Sequence, residues 1–502
     1  VSVSDRRFDL LRVPVVGRFL RWRWSRAAMQ TPLFLISAVM IWHAFFGPQL
    51  APKNLATLLA WVHFRGLVVL LLLLGGNFFC MACPFMLPRQ LARRFISPQW
   101  TWPRWLRNKT PALILFVGVL FVYEWLDLWS DPWATGILIV GYFAAAFFVD
   151  LFFKRASFCK FVCPIGQFNF LASSISPLEV TVRDPNVCVN CHTHDCIAGT
   201  HAPLSLANFD ATSVALIDAS APAMTHTCGK LIQRGCELDL YQPRKVGNLD
   251  CTFCLDCVHA CPHDNVGLLA RVPAEEIVST EIRSGIGNLD RRTDWSWLIV
   301  VFVFGAVLNA FAMISPVYTV EQAFVRATGF DSKLPVLAAL FAFALLIEPA
   351  ILLGIAAWLT RKTADAGVSL WMVINRFTRS LVPLGLGVWL AHYGFHFLTG
   401  FLTFVPVAQY TVRTTFGVDY LGAPLWRLGG LPQSLVLPIE LGFLGLGLIG
   451  SLGVAWRIAA DFAPFKTLKA FAPWAFIAVL LFTSACWTMS QPMDMRGTFV
   501  AR

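Results

Sequence analysis

The sequence predicts a polytopic α-helical membrane protein of about nine transmembrane helices, interrupted by a polar, cysteine-bearing domain. Three observations predict it. The 502 residues are 57% hydrophobic, with a mean hydropathy of +0.63, against about 45–50% apolar residues in ordinary soluble domains. Only 14% are charged, and several uninterrupted apolar runs reach the roughly 20 residues a helix needs to cross the hydrocarbon core. Thirteen of the fourteen cysteines fall between positions 80 and 261, many of them two or three residues apart.

The apolar runs place spans near 32–48, 57–80, 111–130 and 133–153, then near 296–315, 334–359, 381–402, 433–456 and 470–489. The loop after the second run carries Arg89, Arg93, Arg94, Arg104, Arg107 and Lys109 without an acid, whereas the turn after the third carries Glu124, Asp127 and Asp131. Cytoplasmic loops are enriched in Lys and Arg, so the N-terminus and the first of these loops face the cytoplasm. Lys154, Arg155 and Lys160 after the fourth run, Arg361, Lys362, Arg376 and Arg379 after the sixth, and Arg457, Lys466 and Lys469 after the eighth keep the same side.

A net charge of +11 would suit nucleic acid only if gathered on one soluble face. Here the basic residues lie in short loops between apolar runs, so they read as topology signals and nucleic acid is excluded as a partner. The seven arginines of the first 26 residues precede no short apolar segment with a cleavage site, and the first run is expected to be a retained signal anchor. Cysteine pairs this closely spaced ligate metal more often than they crosslink, which implies a reducing compartment.

Cys251, Cys254, Cys257 and Cys261, followed by Pro262, reproduce the bacterial ferredoxin run in the string CTFCLDCVHACP. Three thiolates on a tight loop hold three corners of one [4Fe–4S] cluster, and the fourth points at a second. Zinc knuckles of the CxxC type do not require the closing Cys-Pro. The second cluster takes Cys188, Cys191 and Cys196 from CVNCHTHDC, with Cys261 as its fourth ligand. The remaining ligand of the first is Cys228 or Cys236; Cys236 is favoured because it leads through a short segment into the second run, leaving Cys228 as a free thiol. Near the membrane, Cys80 and Cys83 precede Pro84, and Cys159 and Cys163 precede Pro164. These four close a third iron–sulfur or metal centre, form a redox-active dithiol, or are packed thiols.

The strings FCMACP, CKFVCPIGQFNF and CTFCLDCVHACPHDN resemble the membrane polyferredoxins of the NapH/NosR class and, more closely, the FesM-type 4Fe-4S membrane proteins, over roughly residues 30–270. That resemblance implies a multi-pass protein of the bacterial cytoplasmic membrane whose cytoplasmic two-cluster domain exchanges electrons with a quinone-linked or cytochrome-linked chain. The expected organisation is a basic segment 1–30, a four-helix membrane domain 31–164, an α+β ferredoxin-like domain 165–294, a five-helix membrane domain 295–490 and an extracytoplasmic tail 491–502. This chain departs from the simpler relatives in its first Cys-Pro spacing, an insertion in the ferredoxin and five added helices.

The leading expectation is an electron-transfer subunit working between a cytoplasmic oxidoreductase or soluble carrier and a membrane acceptor, either a quinone or an extracytoplasmic cytochrome. No phosphate-binding glycine loop is found that would mark a nucleotide site. The alternative is a redox-sensing or cofactor-maturation protein. Glu348 and Glu440 inside apolar runs raise a transport role as a third. Four histidines, His43, His63, His392 and His396, fall in the expected spans. At 1.5 Å per residue each sits about 8–9 Å below the outer surface. They are packed core groups, ligands of a haem b between facing helices, or a quinone site.

Overall fold

The computed structural model describes residues 7–93, 95–202, 230–329, 332–364 and 367–492. Among these, eight helices are long and apolar enough to cross a membrane: Ser25–Phe46, Leu55–Leu74, Pro132–Phe152, Thr293–Phe311, Lys333–Thr363, Leu370–Gly400, Gln433–Phe462 and Thr467–Met489. The third expected span is the shorter apolar helix Thr110–Trp125. It stops before residue 130 because Asp127 takes a left-handed φ of 46° and Asp131 caps the following helix, accepting from the Ala134 amide at 3.0 Å. Its 16 residues rise about 24 Å, somewhat less than the hydrocarbon core. The spans are numbered one to nine in chain order below.

Two boundaries differ from expectation for reasons that bear on the site. Span two was expected to run unbroken to residue 80, but ends at Leu74 and turns at Gly75 and Gly76 before the short helix Phe78–Met81. Gly76 has a φ of +88°, and a Cβ there would lie 2.8 Å from Ser176 Oγ and 2.9 Å from the Phe253 ring, so the reversal needs glycine both for its backbone and for its space. Span seven begins at Leu370 rather than 381: an amphipathic helix, Leu370–Phe377, passes through one 3₁₀ turn into Val382–Gly400.

Spans five and seven form the centre of the bundle, with 78% and 83% of their apolar windows buried, against 22% for span one. Trp389 of span seven is fully buried and donates its indole N–H to the Phe302 carbonyl of span five at 2.8 Å. Spans seven and eight meet at Gly387, where a Cβ would stand 2.8 Å from the Phe443 carbonyl oxygen.

The polar stretch between spans four and five carries four strands, β1 (Leu178–Val182), β2 (Thr200–His201), β3 (Leu231–Gln233) and β4 (Val266–Ala270). β1 pairs antiparallel with β4, Val180 opposite Leu268, and β2 pairs antiparallel with β3, Thr200 opposite Gln233. First therefore pairs with last and second with third. Residues 203–229, with Cys228, lie outside the described residues. The N-terminal segment, expected to serve only as a topology signal, docks here. Leu11 joins the apolar core of this module with Val180, Phe253 and Leu268, Asp9 accepts from the Arg183 guanidinium at 2.8 Å, and Arg26 pairs with Asp256 at 3.1 Å.

Buried ion pairs fasten the module to the helices. Arg89 bridges Asp150, at the end of span four, and Glu237 of the module at 3.0 and 2.9 Å, and Arg93 reaches the other Glu237 oxygen at 2.7 Å. Lys109, before span three, pairs with Asp250, and Arg379 of span seven pairs with Asp290. Burial alone would raise the Glu237 carboxyl, but Arg89, Arg234 and Arg93 hold it down, at about 2.

Candidate metal centres

The two cysteine loops of the module are built alike. In each, a residue with left-handed φ, His194 at 51° or Leu255 at 59°, leads into an aspartate that opens a short helix, Asp195–Ala198 or Asp256–Ala260. Cys196 and Cys257 are the second residues of these helices, so they are equivalent despite the longer gap before Cys196. The matching strings HDC and LDC were a legible signal of this repeat. Phe253 at 54° and Asp250 at 62° add further left-handed turns. Such strain is retained where a loop must curl its groups around a common point.

Cys188, Cys191, Cys196 and Cys261 line one small cavity with Asn265, His194 and Tyr241. Asn265 serves this quartet twice: its side-chain amide donates to Cys188 Sγ at 3.3 Å and its backbone amide to Cys261 Sγ at 3.4 Å. Burial, with Cys261 and Cys188 nearby, pushes the Cys196 thiol to about 11.

The second quartet is Cys236, Cys251, Cys254 and Cys257. Burial and the neighbouring Cys236, Cys254 and Cys251 push the Cys257 thiol well up, and burial with Cys251 takes Cys236 to about 11. Cys236 stands here because β2–β3 pairing returns the chain to the first loop, and its amide donates to the Cys196 carbonyl at 2.9 Å.

Cys80, Cys83, Cys159 and Cys163 line a third cavity, closed by Phe79, Met86, Phe170 and Thr252. The turn at Gly76 brings the first pair back over the bundle, and the helix Pro164–Ser173, capped by Cys163, supplies the second. Asn169 Nδ2 donates to Cys80 Sγ at 3.3 Å and the Gly166 amide to Cys163 Sγ at 3.2 Å. Burial is the main cause that raises Cys80 to about 12 and Cys83 to about 11. This site adjoins the second quartet: Thr252 of the loop lines it, and Asn77 donates to the Cys251 carbonyl at 2.9 Å.

The donor sets can be tested against the group they would hold. All described cysteines are free of disulfides. Among the described residues no three His, Cys, Asp or Glu side chains converge as for a single metal ion, and zinc would draw thiolates to about 2.3 Å from one point. A cubane takes one thiolate at each of four separated corners. Cys188, Cys191, Cys196 and Cys261, and Cys80, Cys83, Cys159 and Cys163, each line a cavity with N–H donors at sulfur, a donor set that fits a [4Fe–4S] cluster, and the quartet around Cys257 offers the same four thiols. Buried thiols with raised pKa values ionise when iron supplies the compensating charge. The asparagines were not singled out from the sequence, although Asn265 stands in the CPHDN string.

The four membrane histidines are not gathered. His43 Nδ1 accepts from the Leu55 amide at 3.0 Å and its Nε2 meets Thr411 Oγ1 at 3.2 Å. His63 lies in a π-helical turn, its ring nitrogens 3.3 and 3.1 Å from the carbonyls of Leu58 and Phe401. Only His392 and His396 adjoin, with ring centroids 5.2 Å apart on one helix, and His396 Nε2 lies 3.3 Å from Met313 Sδ. No two of these imidazoles oppose each other across facing helices with free nitrogens, so of the three readings the haem b does not fit them.

No protein-family model, no curated protein and no solved structure matches this chain.

Proposed function

We propose that this multi-pass helical protein is a membrane electron-transfer iron–sulfur protein. Residues 165–294 form a cytoplasmic ferredoxin-like domain with two [4Fe–4S] clusters, one on Cys236, Cys251, Cys254 and Cys257, the other on Cys188, Cys191, Cys196 and Cys261. Cys80, Cys83, Cys159 and Cys163 hold a third at the membrane junction. Such clusters supply one-electron storage at low potential when bound. The protein's own residues hold and order them: strand pairing crosses the ligands between the two loops, Asn265, Asn169 and Gly166 direct N–H groups at sulfur, and the Arg89–Asp150–Glu237 network fixes the module against the helices.

The observation that carries this reading is the succession of three thiol quartets from the module's outer loop to the helix ends, the last two joined through Thr252 and the Asn77–Cys251 hydrogen bond. The electrons pass between a cytoplasmic oxidoreductase or soluble carrier and a membrane acceptor. Without facing imidazoles for a haem, the quinone pool is the favoured acceptor.

Iron and sulfide analysis of protein purified without oxygen, with EPR after dithionite reduction, tests the reading. About twelve irons per chain and reduced-cluster signals are expected; a chain without either would refute it. Protease should cut between Lys230 and Arg292 in inside-out vesicles and spare this region in intact cells.

A further inference from the structure

The half of the membrane domain far from the three cysteine quartets holds ionisable side chains that electron transfer alone does not require. Arg65 lies ten residues into span two, Leu55–Leu74, about 15 Å from its ends, where a guanidinium is costly and marks function. The rings of Trp61, Tyr123 and Tyr393 enclose it at 4.3, 4.3 and 4.9 Å. Glu124, 4% exposed, is a charged neighbour of Arg65 and accepts from Asn309 Nδ2 at 3.3 Å. His392 is wholly buried, and neither of its ring nitrogens has a hydrogen-bond partner among the described residues. An imidazole left so unsatisfied costs stability and calls for an explanation.

Ring contacts join this cluster to the four-cysteine junction by two routes. Phe64, beside Arg65, meets Phe79, beside Cys80, at 4.9 Å. Phe168, in the helix capped by Cys163, meets Trp389 at 5.3 Å, and Trp389 meets Tyr393 at 4.8 Å. Towards the far surface, Trp129 packs on the apolar group of Tyr123 and Met313 and also lines an open cleft of about 1020 Å³ with Asp127, Glu321 and Lys333.

We infer that Glu124, His392 and His396 form a redox-linked proton site: one proton enters from the far surface when one electron reaches the junction, and leaves on reoxidation. The inference rests on the electron-transfer reading. The electron comes from a reduced one-electron carrier on the cysteine side and the proton from solvent. One N–H or O–H bond forms, so added negative charge is matched by added positive charge. In a low-dielectric interior an electron nearby strengthens proton binding. The titratable groups facing His392 are His396 and Tyr393 on its own helix and Arg65 from span two; Arg65 in turn faces Tyr123 and Glu124 from span three. Span five and the turn after it offer the neutral Asn309 and Met313, and span eight, packed along span seven, carries the buried Glu440.

Redox titration of the full-length protein in mild detergent, followed by EPR over about pH 5–8 where imidazoles titrate, tests this. The junction signal is the one lost in Cys83→Ser. Its reduction should become up to tenfold harder per pH unit, about 59 mV for one electron. The slope should flatten in Glu124→Gln and His392→Gln with iron content unchanged, and, should either fail to fold, in His396→Gln at its half-buried position; Glu440→Gln should keep it. A flat wild-type slope, a slope unchanged in the variants, or a slope lost in Glu440→Gln would overturn the proton site while leaving the electron-transfer reading standing. A protein without any reducible cluster would overturn that reading itself.

Discussion

The side-chain amide of Asn265 donates to Cys188 Sγ at 3.3 Å across 77 residues of chain, while its backbone amide reaches Cys261. One residue after the second run thus supports thiols from both halves of the module, the crossing that strand pairing enforces. N–H donors at sulfur offset negative charge and favour the reduced form of a cluster. Asn265→Ala should therefore lower the potential of the cluster on Cys188, Cys191, Cys196 and Cys261 and leave its neighbour unchanged. An EPR redox titration that finds both potentials shifted equally would deny this local role.

The proposed crossed ligation distinguishes two substitutions that lie seven residues apart. Cys254→Ser should remove the cluster shared with Cys236, and Cys261→Ser the one held by Cys188, Cys191 and Cys196. Each should lower iron by about four atoms per chain and delete a different EPR signal. Loss of the same signal in both variants would mean that each loop keeps its own ligands.

Glu237 joins Arg89 and Arg93 at 2.9 and 2.7 Å, so Glu237→Ala leaves buried cations short of a partner and should cost about 3–5 kcal/mol of module docking. Its pKa, held at about 2, lies below the unfolded value of about 4.3. The carboxylate therefore contributes in full above the unfolded value, and the contribution is lost as pH falls through the folded one. Thermal unfolding in detergent should show the wild type losing its margin over Glu237→Ala on acidification; a pH-independent margin would contradict the assignment.

The thiols of the iron-free chain should be slow to alkylate. Cys83, Cys196 and Cys236 rise to about 11, so at neutral to mildly basic pH their thiolate fraction is about a hundredfold below that of an ordinary thiol. Iodoacetamide labelling followed by peptide mass spectrometry should speed up towards pH 11. Rates at these cysteines equal to that of a free thiol at pH 8 would show that the burial in the folded chain is not kept without iron.

Composition, run length and the placement of basic loops determine a multi-pass helical chain, because crossing a membrane demands about 20 apolar residues whatever surrounds them. The cysteine runs are equally legible, since a CxxC spacing and a following Cys-Pro act within a single loop. What tertiary structure alone decides is which distant groups meet. Cys236 reaches Cys257 through the β2–β3 pairing, and Cys80 reaches Cys163 only because Gly76 reverses the chain after span two. The histidines show the limit most plainly: equal depth along their helices allowed one shared site beside separate packing, because depth leaves the azimuth around each helix open. Packing gave the rings of His43 and His63 separate hydrogen-bond partners and left both ring nitrogens of His392 without one among the described residues. An arginine in the middle of an apolar run was the readable sign of that cluster, and its aromatic cage and acid come from three helices that no local pattern brings together.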